Sequence, residues 1–311
     1  MRGVIFTTVF FSLLSSCTPT VRQAVLPQTT HNISLVQKGN YYFSEEEEKF
    51  IQKESQTFGI PIPDRKEIRR FVDYYLTNRR QFELALQRAN YYMPIIRPIV
   101  QRHGLPEELA LLPVIESAFN NFAVSRSGAA GLWQFIPSTA RRYGLRVDQH
   151  VDERFDVVKA TDAAMKYLKD LYTMFGNWEL ALAAYNCGEN CVVKRTGGVD
   201  FWATRGLLPE ETRNYVPAFF AMLLLAGHSE SYGLSVNVES MHIAKKSMEK
   251  DISTDEFIAN NRIEESLFRD LNPHIRGNVI PASTFVYVPR EERREGRVER
   301  LSNGAKLIIK E

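Results

Sequence analysis

Apolar positions recur at helical spacing along most of the chain. Ile68, Phe71, Val72, Tyr75 and Leu76 fall on one 3.6-residue stripe, with Asp64 placed to cap the helix that carries them. A second run, Gln81 to Arg102, is interrupted by Pro94 and Pro98, and Gly104 is its C-terminal stop. A short helix opens at Pro106, and further helical runs cover residues 157–175, 178–186 and 210–227. No alternating apolar stretch of useful length precedes residue 230, so the first domain is predicted to be all or nearly all α. The pattern changes after Gly233. Residues 236–243 fit a short strand, 254–260 and 264–271 two short helices, and 284–288 a strand, with Asn272-Pro273 as a turn. This β-α-α-β order predicts a small α+β module, to which residues 305–309 can add a strand.

The first residues follow a different logic. Arg2 precedes an apolar run from Val4 to Leu14, too short for the ~20 residues that span a bilayer. This is the pattern of a secretory signal. Its end, Leu14-Ser15-Ser16-Cys17, resembles a bacterial lipobox, which implies lipidation at Cys17; an ordinary signal with an unrelated cysteine is the other reading. Thr18 in place of Asp favours, by analogy with Gram-negative sorting, the periplasmic side of the outer membrane. The expected organisation is a signal at 1–16 and a lipidated cysteine with a flexible tether at 17–43. A helical domain follows at 44–230, then a small module and charged tail at 231–311.

Composition narrows the chemistry. With 39 Lys and Arg against 37 Asp and Glu, the net charge of +2 gives no reason to expect nucleic acid as a partner. Three cysteines exclude a disulfide scaffold and a Cys-only zinc site, and the six histidines lack ligand spacing. No metal or other cofactor is suggested by any motif. Cys187 and Cys191, four residues apart near a helix end, are left open as a disulfide or as two thiols.

Three segments carry candidate chemistry. From Leu109 to Ile115 the chain is apolar on every face, and Glu116 continues the stripe of Leu109 and Leu112. A carboxyl group there is poorly solvated, which raises its pKa and suits a general acid; a paired or exposed Glu at a helix end is the plain alternative. In Ser125-Arg-Ser-Gly-Ala-Ala-Gly-Leu-Trp-Gln134, the glycines allow tight turns. Leu132, Trp133 and Phe135 offer apolar surface and Gln134 an amide, a combination suited to a sugar, or else to a loop packed by its own aromatics. Tyr185 and Asn186 close a helix before Gly188.

Taken together, Glu116-Ser117, Gly131-Leu-Trp-Gln134, Ala184-Tyr-Asn186 and Glu211-Thr-Arg-Asn-Tyr-Val216 resemble, in order and spacing, the motifs of the family 1 lytic transglycosylases. The resemblance covers about residues 65–230 well and reaches 289 more loosely. It implies a mainly α, lysozyme-like (SLT) catalytic domain acting on peptidoglycan glycan strands. Glu116 would be the single acid/base, cleaving the bond between N-acetylmuramic acid and N-acetylglucosamine to leave 1,6-anhydro ends. Ser117 and Gln134 would hold substrate polar groups, Tyr185 would hydrogen-bond Glu116, and Asn186 would support the cleft. Glu211 and Tyr215 are weaker candidates for its floor. The terminal module resembles a LysM-type domain through Ser266-Leu-Phe-Arg-Asp-Leu-Asn-Pro273 and Val286-Tyr-Val-Pro289, with glycan binding and a structural cap both open. A monomer held at the membrane by the lipid on Cys17 is expected. Two other functions stay in view. One is a hydrolase using a second carboxylate from Asp148, Asp152, Glu153 or Asp156; the other is a non-catalytic glycan-binding lipoprotein.

Overall fold

The structure, a computed structural model, describes residues 59–234 and 243–289, together with the backbone of two short strands at 298–300 and 306–308. The expected signal, Cys17 and the expected tether lie outside the described residues. The helical domain begins with α1 (Lys66–Thr77) and α2 (Arg79–Arg102). Asp64 does not cap α1: Arg65 holds the cap position, and the Asp64 carboxylate instead accepts from Arg69 Nη2 at 2.5 Å. Nor do the prolines interrupt α2. Pro94 and Pro98 sit four residues apart on its exposed face, where water can satisfy the carbonyls they leave free, while Met93, Ile96, Ile99 and Val100 anchor the opposite face in the core.

The segment after Gly104 is not one helix. A 3-10 turn, Glu107–Leu111, gives way to α3, Pro113–Ser117, which starts where a second proline forbids continuation. The burial expected of the segment holds, since Leu109, Ala110 and Leu112 are shut off from solvent. Next come α4 (Pro137–Arg142), α5 (Val157–Phe175), α6 (Trp178–Cys187), α7 (Glu189–Thr196), α8 (Phe201–Thr204) and α9 (Glu210–Gly227). Helix α9 is buried on all sides from Tyr215 to Leu225 and packs against α1, α3 and α6. It is the axis of the domain, and its apolar girth is the main reason the helices close around it.

The terminal module has the expected order. Strand β1 (Ile243–Ser247) is followed by β2 (Ile252–Ser253), α10 (Thr254–Asn261), α11 (Glu265–Leu271), β3 (Val279–Ile280) and β4 (Phe285–Pro289). β1 pairs antiparallel with β4, Lys245 opposite Tyr287, and β2 with β3. The first strand therefore starts at Ile243, at the end of the segment expected; residues 235–242 lie outside the described ones. Phe257, Phe268, Ile280, Val286 and Val288 form a separate small core. The short strand expected at 305–309 is present as Lys306–Ile308, paired with Val298–Arg300.

Candidate active site

Glu116 stands in the last turn of α3, just before two residues of left-handed backbone, Ala118 (φ 50°) and Phe119 (φ 54°). The reversal turns the chain out of the helix and lets the loop 120–135 fold back beside the carboxyl group. Glu116 is partly exposed, as a group that meets a substrate must be. Its carboxyl lies against buried apolar protein, and no cationic side chain among the described residues pairs with it. Desolvation pushes its pKa up to about 8, and the nearby charge of Glu211 adds to the rise. A hydrogen bond donated by the Tyr215 hydroxyl to Glu116 Oε1 opposes that shift. At neutral pH the group is therefore mostly a carboxylic acid, able to donate a proton.

Tyr215 was expected only as floor of the cleft; it is the direct partner of Glu116. The role expected of Tyr185 is correspondingly corrected. Its hydroxyl donates to the Trp133 carbonyl at 2.8 Å, so it secures the loop rather than hydrogen-bonding Glu116. It remains close enough that burial, and then the Glu116 charge, hold its own pKa well above the ordinary value. The distinction between the tyrosines has no signature in sequence. Tyr215 enters from α9, nearly a hundred residues away from Glu116, where the polar first turns give way to the buried run, and only packing decides which hydroxyl arrives.

The loop is built by backbone contacts. Ser117 Oγ donates to the Leu132 carbonyl at 3.0 Å, tying α3 to the turn at 131–134. Gly131 has φ +79°, and a Cβ there would lie 1.9 Å from the Arg154 carbonyl oxygen, so only glycine fits. Gln134, at φ 48°, turns its amide inward to the carbonyls of Gly131 (2.8 Å) and Ala123 (3.2 Å). Leu132, Trp133 and Phe135 are buried in the core, with Trp133 Nε1 donating to Thr161 Oγ1 at 2.9 Å. The apolar surface expected to meet sugar is therefore core packing. The large apolar side chains that do face solvent on this loop are Phe122, Val124 and Ile136.

Asn186 and Glu211 meet at the other side. Asn186 Oδ1 accepts from Thr212 Oγ1 at 2.7 Å, and its Nδ2 lies 3.5 Å from Glu211 Oε1. Glu211 is exposed. The four acids considered as a second catalytic carboxylate have other engagements. Asp148 pairs with Arg146 and caps a turn. Asp152 is wholly buried between Arg154 and Arg276. Glu153 pairs with Lys159, and Asp156 caps α5. Cys187 and Cys191 are free thiols, and burial first of all pushes the Cys187 thiol up to about 12. Such a group is not a nucleophile at neutral pH.

Residues 93–204, which contain Glu116, the loop and Asn186, match the family model of the transglycosylase SLT domain. The chain carries an SLT domain. Over 258 residues, 79% of this chain, it is 37% identical to membrane-bound lytic murein transglycosylase D of Escherichia coli (strain K12). Over 126 residues it is 39% identical to a putative tributyltin chloride resistance protein of Alteromonas sp. (strain M-1), covering 40% of this chain and 60% of that one. The chain spans 56% of the length of the first of these relatives. Among solved structures, the 70 kDa soluble lytic transglycosylase of Escherichia coli matches 54% of this chain and 32% of its own, at 22% identity and a TM-score of 0.41. Tyr215, the partner of the SLT domain's acid, lies beyond the matched span, on α9.

Proposed function

We propose that this protein is a lytic transglycosylase that cleaves the β-1,4 bond between N-acetylmuramic acid and N-acetylglucosamine in peptidoglycan, in cell-wall remodelling. The observation that carries the reading is Glu116: one desolvated carboxylic acid, pKa about 8, beside the loop of the SLT domain and with no counter-cation among the described residues. Glu116 gives its proton to the glycosidic oxygen as the bond from that oxygen to the muramic anomeric carbon breaks. The resulting carboxylate then takes the proton of the muramic 6-hydroxyl as that oxygen closes on the anomeric carbon. The acid is regenerated, a 1,6-anhydro end forms and no water is consumed. Most glycosidases need two carboxylates, and substrate-assisted enzymes are the exceptions. The engagement of Asp148, Asp152, Glu153 and Asp156 elsewhere favours this one-acid route over hydrolysis.

Tyr215 holds the Glu116 carboxyl in orientation and stabilises its anionic form between the two proton transfers. Phe122, Val124 and Ile136 are the solvent-facing apolar groups against which sugar faces would lie. Ser117 and Gln134 act by fixing the loop, since their side chains already serve backbone carbonyls. Anchoring through a lipid on Cys17 at the outer membrane, with a monomeric domain reaching the glycan, is part of the proposal. It is supported by the lipobox-like segment and by relatives that are named membrane-bound. Among the described residues no helix is long and apolar enough to cross a membrane. Glycan binding by the LysM-like module would raise the local concentration of substrate.

The test is mass spectrometry of soluble products after incubation with purified peptidoglycan. Muropeptides one water lighter than reducing-end species are expected. Reducing ends would replace this reading with the hydrolase, and absence of products with retained binding would replace it with a binding protein.

A further inference from the structure

The terminal module is joined to the SLT domain by a polar seam. Ile275 and Val151 form an antiparallel bridge, flanked by Asp152 N–H to His274 O (2.8 Å) and Arg276 N–H to His150 O (2.9 Å). At the centre Asp152 is fully buried, and its carboxylate accepts from two guanidinium groups. One is Arg276, from the module. The other is Arg154, from the SLT domain, whose Nε and Nη2 reach Asp152 at 2.9 and 2.8 Å. Arg154 has a second engagement: its Nη1 donates to the carbonyls of Gly128 (2.6 Å) and Phe135 (3.0 Å). These carbonyls stand at the two ends of the turn that carries Gly131, Trp133 and Gln134.

A second line runs beside the first. Tyr287, on β4, donates to Asp156 Oδ1 at 2.6 Å. The same carboxylate oxygen accepts Val158 N–H and Lys159 N–H and so caps α5, one turn before Thr161, the partner of the Trp133 indole. Both lines begin in the module and end on the loop beside Glu116.

We infer that Arg276 and Tyr287 are positioning residues of the SLT site, and that the module is part of the catalytic unit. Arg276 holds Asp152 against Arg154, which fixes the guanidinium at the angle that clamps both ends of the loop. Tyr287 fixes the cap of α5 and through it the Trp133 anchor. The reaction in question is the one proposed above, and the inference rests on that reading for its activity arm alone. A buried carboxylate facing one guanidinium in place of two would let Arg154 turn toward it, away from the Gly128 and Phe135 carbonyls.

The test uses the full chain and the variants Arg276→Ala, Arg276→Lys and Tyr287→Phe. Steady-state cleavage of soluble uncrosslinked glycan strands gives kcat and KM, and amide hydrogen exchange reports on residues 123–135. For Arg276→Ala we expect kcat to fall roughly tenfold with KM within about twofold of the parent, together with faster exchange across the loop. Arg276→Lys, which keeps a cation beside Asp152, should recover most of that loss. Tyr287→Phe removes a single hydroxyl from a packed ring and serves if Arg276→Ala does not fold; it should speed exchange at Trp133. Unchanged loop exchange in the variants overturns the inference, as does a wild-type kcat in Arg276→Ala. A parent protein that releases no anhydro products would refute the proposed function, and the exchange measurement would still decide the relay.

Discussion

Two desolvated acids, Asp152 fully buried and Glu116 partly exposed, stand in contrast in this molecule. Asp152 is closed off from solvent and accepts from two guanidinium groups, so its charge is matched where it sits. Glu116 is desolvated by the apolar protein around it, with a phenol as its hydrogen-bond partner and another acid, Glu211, nearby. The first arrangement fixes a charge and joins two parts of the chain. The second keeps a proton on a carboxyl group at pH 7. The identity of the neighbours, a pair of arginines or a tyrosine, is what separates a paired carboxylate from a carboxyl group that keeps its proton.

The largest effect should follow from neutralising Glu116. Glu116→Gln keeps the shape and removes the titrating proton, and release of anhydro products should fall by about 10²–10⁴-fold. Its stability should move the opposite way. The folded pKa of Glu116 is raised to about 8 from an ordinary value near 4.5, so ionisation is disfavoured by the fold. The resulting penalty is absent below pH 4.5, grows between 4.5 and 8, and is constant above. Urea unfolding should therefore find Glu116→Gln equal to the parent at pH 4 and more stable by roughly 2–4 kcal/mol at pH 8. Equal stability at both values would mean that the carboxyl is solvated after all.

Asp152→Asn tests the other acid. It strips two guanidinium groups of a buried partner, one of them the almost wholly buried Arg154. A destabilisation of about 3–5 kcal/mol is expected by chemical denaturation, largest at low salt. If the cost stays under 1 kcal/mol, water has access to the seam and the contrast between the acids is lost. Smaller, and confined to the loop, is Gly131→Ala. The added methyl meets the Arg154 carbonyl and the residue keeps φ near +79°, which together should cost about 1–3 kcal/mol. Thermal unfolding measures it directly.

The same contrast explains what the sequence made legible. Helices with a one-sided apolar stripe or an unbroken apolar run, such as 157–175, 178–186 and 210–227, end within about a residue of their expected limits, because burial of that face is a local property. Pro94 and Pro98 misled because their cost depends on which face they occupy. Glu116 could be read as desolvated from Leu109 and Leu112, even though the segment proved to be two short helical pieces. Trp133 could not be placed: an aromatic next to a glutamine looks the same whether it faces sugar or core, and Thr161 decides the matter from α5. Arg154, Asp152 and Arg276 were likewise invisible as a set, since the third member arrives from more than a hundred residues downstream.

The smallest effect is also the sharpest probe of the role proposed for Glu116. Tyr215 is buried, and its hydroxyl donates to the Glu116 carboxyl; this bond favours the anion and so holds the pKa below what burial alone would impose. Tyr215→Phe deletes the donor and leaves the ring packed. The Glu116 pKa should rise above 8, moving the alkaline limb of the kcat/KM profile to higher pH by about one unit. The two proton transfers respond with opposite sign. A weaker acid protonates the leaving oxygen less readily, while its conjugate base takes the 6-hydroxyl proton more readily. At pH 7 the change in kcat should therefore be modest, within about tenfold. A limb that shifts with little loss of rate would identify Tyr215 as a tuner of Glu116. A large loss of rate with an unmoved limb would mean that the hydroxyl chiefly orients the carboxyl.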